Sequence, residues 1–180
     1  MNLPKLIFAF LLVMGLIVVG IVVAPGADIA AHVAHPRIGA MFSGGDGAAR
    51  HASTLALGWA LGAIQLLIFA AFMALGVQKN GSLRGFAPTL LGCTGFLLAL
   101  WTAIVVTYSS YAAGSQSVLA LGMHSSTALV MLGFWPLSTI LTVAFVIGFD
   151  RWVYTAEDEA AFERLLAERG KAPDHGERNG

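Results

Sequence analysis

From Ser53 to Val77 the chain reads STLALGWALGAIQLLIFAAFMALGV, with no Asp, Glu, Lys, Arg or His anywhere in it. Crossing a hydrocarbon core of about 30 Å takes about 20 helical residues. The stretch is long enough, and its apolar residues lack the strict alternation of a barrel strand. In lipid every backbone N–H and C=O must be satisfied within the segment, so it reads as a helix. Leu6–Ala24, Pro88–Tyr108 and Ser126–Phe149 share its character. The expected fold is therefore all-α and integral to a membrane, with four transmembrane helices over about 6–24, 53–77, 88–108 and 126–149 in one domain covering 1–154.

Composition agrees with a bilayer as solvent. Of 180 residues 57% are hydrophobic and 11% charged, whereas soluble domains carry about 25% charged residues. The formal net charge is zero and no basic stripe occurs, so nucleic acid, which needs clustered Lys and Arg, is not an expected partner. The single cysteine, Cys93, lies in an apolar run and can form neither an internal disulfide nor a Cys-based metal site. The first apolar stretch ends at Pro25-Gly26-Ala27, as a cleaved signal could. Its length exceeds the 7–15 apolar residues usual for a signal, which favours a retained helix.

The basic residues set the expected orientation. With the N-terminus inside, Lys5, Lys79, Arg84, Arg151, Arg164, Arg169, Lys171 and Arg178 are cytoplasmic, and only Arg37 and Arg50 lie outside. The short loop Gln78–Phe86 has Lys79 and Arg84 and no acid, and is the best single orientation signal. Both termini are then cytoplasmic. From Thr155 the pattern changes. Thr155 can cap a helix over 155–170 whose first turn holds Glu157, Asp158 and Glu159, where the macrodipole favours acids. Phe162, Leu165 and Leu166 make one apolar stripe, so the helix is short, cytoplasmic and amphipathic. Gly170 and Pro173 are its stop signals, and the polar residues 171–180 read as a disordered tail.

The second and fourth stretches open alike. His51-Ala52-Ser53-Thr54 matches His124-Ser125-Ser126-Thr127, and Ala71-Phe72 matches Ala144-Phe145 at the same offset. The spans can therefore be read as two related hairpins sharing one orientation, an arrangement known in transport folds. Such matches also arise cheaply in an Ala-rich chain.

His32, His35, His51 and His124 fall on the outer side in this topology. His51 and His124, at matching depths, form a candidate pair of imidazole ligands for haem iron, copper or zinc, with neighbouring Ser and Thr to orient them. The plainer alternative makes both interfacial residues ahead of a helix cap, needing no ligand and no cofactor. His32 and His35, beside Pro36 and Arg37, read as solvated. Ser43-Gly44-Gly45-Asp46-Gly47 lacks the Gly-Lys-Ser/Thr ending of a phosphate loop and reads as a connector. With only Asp28 and Asp46 on the outer face, neither a Ser–His–Asp set nor a carboxylate pair can be assembled, and no enzymatic activity is expected. Gln65 is the most polar side chain at depth, expected to bond Thr102 or Thr139 on a neighbouring helix, with contact to a substrate or quinone the alternative, while Gly58 and Gly62 form a small-xxx-small helix-packing face. Trp135-Pro136 should kink the last span, with Ser138, Thr139 and Thr142 satisfying the freed carbonyls. The spans hold none of the ionisable groups that ion pathways place at depth.

The C-terminal third, from Trp135-Pro136 through Phe149-Asp150-Arg151-Trp152-Val153-Tyr154 to Glu157-Asp158-Glu159, Phe162 and Leu165, resembles the final helix and tail of small accessory subunits encoded with bacterial sodium:solute symporters. Those are short helical membrane proteins, commonly with two spans, and are not the pore. The four apparent spans and the histidine-bearing loop depart from that pattern, and the resemblance assigns no functional residues. A compact bundle with no intramembrane charge, small-residue faces and a cytoplasmic amphipathic helix fit for docking leads to the expectation of a non-catalytic accessory subunit of a bacterial inner-membrane transport or respiratory complex, partnered by the bilayer and by a larger membrane subunit or another copy of itself. A haem- or copper-binding electron-transfer protein using His51 and His124, and a small stand-alone permease, are the alternatives.

Overall fold

The structure is a computed structural model and describes residues 2–25, 33–35, 37–38, 42–43, 47–78, 83, 85–114 and 119–171. Four of its helical segments are long and apolar enough to cross a membrane. These are α1 (Leu3–Val23), α3 (Leu55–Val77), α4 (Ala87–Ala112), and a composite span over Ser125–Ile147. The composite comprises α5 (Ser125–Ala128), a π segment (Leu129–Phe134) and α6 (Trp135–Ile147). The short helix α2 (Gly47–His51) precedes α3; α7 (Phe149–Trp152) and α8 (Ala156–Lys171) follow the last span. Two antiparallel ladders of two residues per strand complete the described residues: β1 (Val33–Ala34) with β2 (Phe42–Ser43), and β3 (Leu119–Ala120) with β4 (Met123–His124). The fold is that of an all-α membrane protein.

α4 runs one turn beyond the expected end at Tyr108. The hydroxyls of Ser109 and Ser110 both donate to the Val106 carbonyl, so these polar residues are satisfied inside the helix. The stop is Gly114, whose φ of 80° and N–H donation to the Tyr111 carbonyl form one half of a Schellman closure. The last span, by contrast, ends at Ile147. Gly148 lacks the Cβ that would run into the Trp152 indole, and the short helix α7 follows it.

Pro136 is accommodated by a widened turn: the Trp135 N–H reaches back to the Val130 carbonyl in the i→i−5 pattern. The hydroxyls nearby do not serve the carbonyl that Pro136 frees. Ser138 and Thr139 donate to the Trp135 carbonyl at 2.8 and 3.0 Å, and Thr142 donates to Ser138. Short side chains reach only their own preceding turn.

The bundle is tight at one end. Leu3, Ala74, Val77, Phe86 and Leu90 form a buried cluster, with Phe145, Trp152 and Val153 packed against it. Gly85, at φ 78°, turns the chain so that Phe86 enters this cluster. Its ring, 1% exposed, lies edge-on to Phe145 at 6.0 Å and tilted on Trp152 at 4.8 Å. At the other end, Leu121 and Gly122 both take positive φ (53° and 75°), a type I′ turn that delivers His124 to the start of α5.

At α8 the Asp158 carboxylate accepts both the Thr155 N–H (3.0 Å) and its hydroxyl (2.8 Å), the reach-back half of a capping box. The helix passes through Gly170 to Lys171, and 172–180 lie outside the described residues.

The two similar tetrapeptides differ in conformation. Ala52–Thr54 form a turn between α2 and α3, whereas Ser125–Thr127 are already helical. Phe72 is 52% exposed while Phe145 packs on Phe86, so the paired positions do not share an environment.

Candidate functional site: an aromatic cavity at the histidine end

Tyr108 and Tyr111 lie three residues apart on α4 and are neighbours on its surface. His51, the last residue of α2, sets its ring against Tyr108 with centroids 5.7 Å apart and planes at 63°. His124 lies on Tyr111 at 3.9 Å and 47°. Each histidine thus has its own tyrosine on the same helix end. The His124 Nδ1 is buried and makes no hydrogen bond among the described residues, so stacking holds that ring. No cluster of three or more His, Cys, Asp or Glu suited to one metal ion occurs among the described residues. His35 accepts the Arg37 N–H at 3.2 Å, and His32 lies outside the described residues.

A cavity of about 660 Å³ runs inward from His51 and Tyr108, within the range of about 300–1,000 Å³ typical of small-molecule sites. Its walls come from all four spans: Ile21 of α1; Leu55, Gly58 and Trp59 of α3; Trp101, Ile104 and Val105 of α4; Val130 and Met131 of the π segment. Thr54, Ser126 and Thr127 join His51 and Tyr108 as its polar wall, and no Asp, Glu, Lys or Arg lines it among the described residues.

Two indoles form the apolar part of the site. The Trp59 Nε1–H donates to the Thr102 hydroxyl at 3.1 Å, and that hydroxyl donates to the Leu98 carbonyl at 2.9 Å. The Trp101 Nε1–H donates to the Trp59 carbonyl at 3.0 Å. A tryptophan at depth must find an acceptor, and here α3 and α4 supply both acceptors between them. With their N–H groups spent, the rings offer only apolar surface. Trp101 also borders a second space of about 260 Å³, lined with Gly62, Gln65, Leu66 and Phe134.

Gly62 admits an indole, and Gly58 borders the cavity. A Cβ at Gly62 would collide with the Trp101 ring, while at Gly58 it would meet nothing within 4 Å. Gln65 bonds neither Thr102 nor Thr139: Thr102 serves Trp59, Thr139 serves its own helix, and the Gln65 side chain is exposed beside the smaller space. Tyr108, Tyr111, Trp59 and Trp101 were not legible as site residues. The available signal was the presence of two mid-span tryptophans, each requiring an acceptor.

Compared with known proteins, the chain matches no family model, no curated protein and no solved structure.

Proposed function

We propose that this chain is a non-catalytic accessory subunit of a bacterial inner-membrane transport or respiratory complex, docked to a larger membrane subunit through α8. One observation carries the reading: Phe162, Leu165 and Leu166 are 54%, 63% and 53% exposed and are the large apolar side chains of a helix whose other residues are charged, Ala or Gly. Their i, i+3, i+4 spacing puts them on one face, the pattern by which an amphipathic helix enters a groove. Over 156–171 the acids Glu157, Asp158, Glu159, Glu163 and Glu168 outnumber Arg164, Arg169 and Lys171, giving a formal charge of −2. An anionic lipid surface attracts basic segments and repels this one, so a protein groove is the better cover. Covering each large apolar side chain fully contributes roughly 1.5–3 kcal/mol, enough in sum to hold a subunit already confined to the membrane plane. The resemblance of the C-terminal third to symporter-associated subunits points the same way.

The test is site-specific photo-crosslinking from Phe162 and Leu165 in native membranes, followed by purification in mild detergent. The expected result is one discrete adduct with a second membrane polypeptide, abolished by Leu166→Glu. Absence of any protein adduct, with the chain purifying as a lone monomer, overturns the reading.

A further inference from the structure

We propose that the cavity at the histidine end binds a membrane quinone, an uncharged lipid with a flat dicarbonyl head and an isoprenoid tail. This goes beyond the docking of α8 and does not depend on it.

The cavity is graded in polarity. Its hydroxyl- and imidazole-bearing wall, from His51, Thr54, Tyr108, Ser126 and Thr127, lies at the bundle end. Moving down α4 from Tyr108 through Ile104 to Trp101 is seven residues, about 10 Å of helical rise, and every lining residue passed is apolar or an indole with its N–H already committed. A ligand matching this gradient has a compact polar head and an apolar body.

The head is constrained further. The hydroxyls of Tyr108, Ser126 and Thr127 make no hydrogen bond among the described residues, so donors are free to meet carbonyl oxygens. A phosphate, carboxylate or ammonium head would meet no compensating charge among the described lining residues, which is costly in an apolar setting. That disfavours phospholipids, fatty acids and cationic amphiphiles. The flanking surfaces are rings: His51 and Tyr108 at the polar wall, Trp59 and Trp101 below. Rings favour offset or edge-on contact with another flat π-system, which a quinone head supplies and a neutral acylglycerol does not. Binding alone is proposed, with no electron transfer.

The test uses the full chain in nanodiscs of phosphatidylcholine, titrated with a short-tailed benzoquinone and a short-tailed naphthoquinone. Binding is read from saturable tryptophan quenching and from quinone retained through gel filtration and recovered by solvent extraction. At least one of the two quinones should bind saturably. Gly58→Leu, which places a side chain in the void, should abolish binding. Tyr108→Phe and Ser126→Ala, each removing one neutral donor, should weaken it about 5–10-fold. Trp135→Phe, outside the cavity, should leave the affinity unchanged, and circular dichroism checks that all variants are folded. The proposal is overturned if neither quinone binds saturably, if Tyr108→Phe and Ser126→Ala both bind like the parent, or if an equimolar diacylglycerol displaces the quinone.

Discussion

Gly58 and Gly62 look equivalent in the chain and are not equivalent in space. Gly62 faces the Trp101 ring and Gly58 faces a void. Gly62→Ala should push the indole off α3, break the bond from Trp101 to the Trp59 carbonyl, and cost about 1–3 kcal/mol as an overpacked site. Gly58→Ala should stay within about 0.5 kcal/mol of the parent. Thermal unfolding in detergent reads both, and a red-shifted tryptophan emission should accompany only the first. Equal costs would mean that the small-residue face packs as a unit. The Trp59–Thr102–Leu98 chain explains why Gln65 is left aside: a threonine already bonded to its own helix and to an indole has no need of an amide.

Elements obey local chemistry where their signals are local. The start of α8 was legible because Thr155 and the acids after it are a self-contained cap. Asp158→Ala should cost α8 about 0.5–2 kcal/mol, seen as faster hydrogen exchange at its first-turn amides with no change in the transmembrane amides. α4 continues past Tyr108 because the hydroxyls of Ser109 and Ser110 bond back to Val106 within the helix, and its stop is Gly114. Likewise Pro136 announces a disturbance in the last span but not its form. The form it takes is a π turn, with the Trp135 N–H on the Val130 carbonyl. The matching tetrapeptides take different conformations, since one follows the short helix α2 and the other the β3–β4 hairpin.

At the scale of the whole molecule, the bundle is closed at one end by an aromatic and aliphatic core and open at the other around the histidines. Phe86→Ala, emptying the most buried aromatic position, should cost about 3–5 kcal/mol, measured as a fall in the detergent melting temperature far larger than that of Gly62→Ala. Orientation is testable in a Cys93→Ala background with a membrane-impermeant maleimide. Leu121→Cys, at the histidine end, should label in intact cells, and Lys79→Cys only after permeabilisation; the reverse pattern would invert the proposed topology. The sequence by itself determined the four apolar helices and the amphipathic helix that follows them, because length, hydropathy and capping are properties of contiguous residues. It did not determine which helices share a void, that the Trp59 indole finds Thr102 and the Trp101 indole finds the Trp59 carbonyl across α3 and α4, or that His51 and His124 each find a tyrosine on α4. In a chain whose spans are apolar on every side, no stripe marks the inward face. Only packing in three dimensions chooses which indole meets which glycine, and so where the cavity lies.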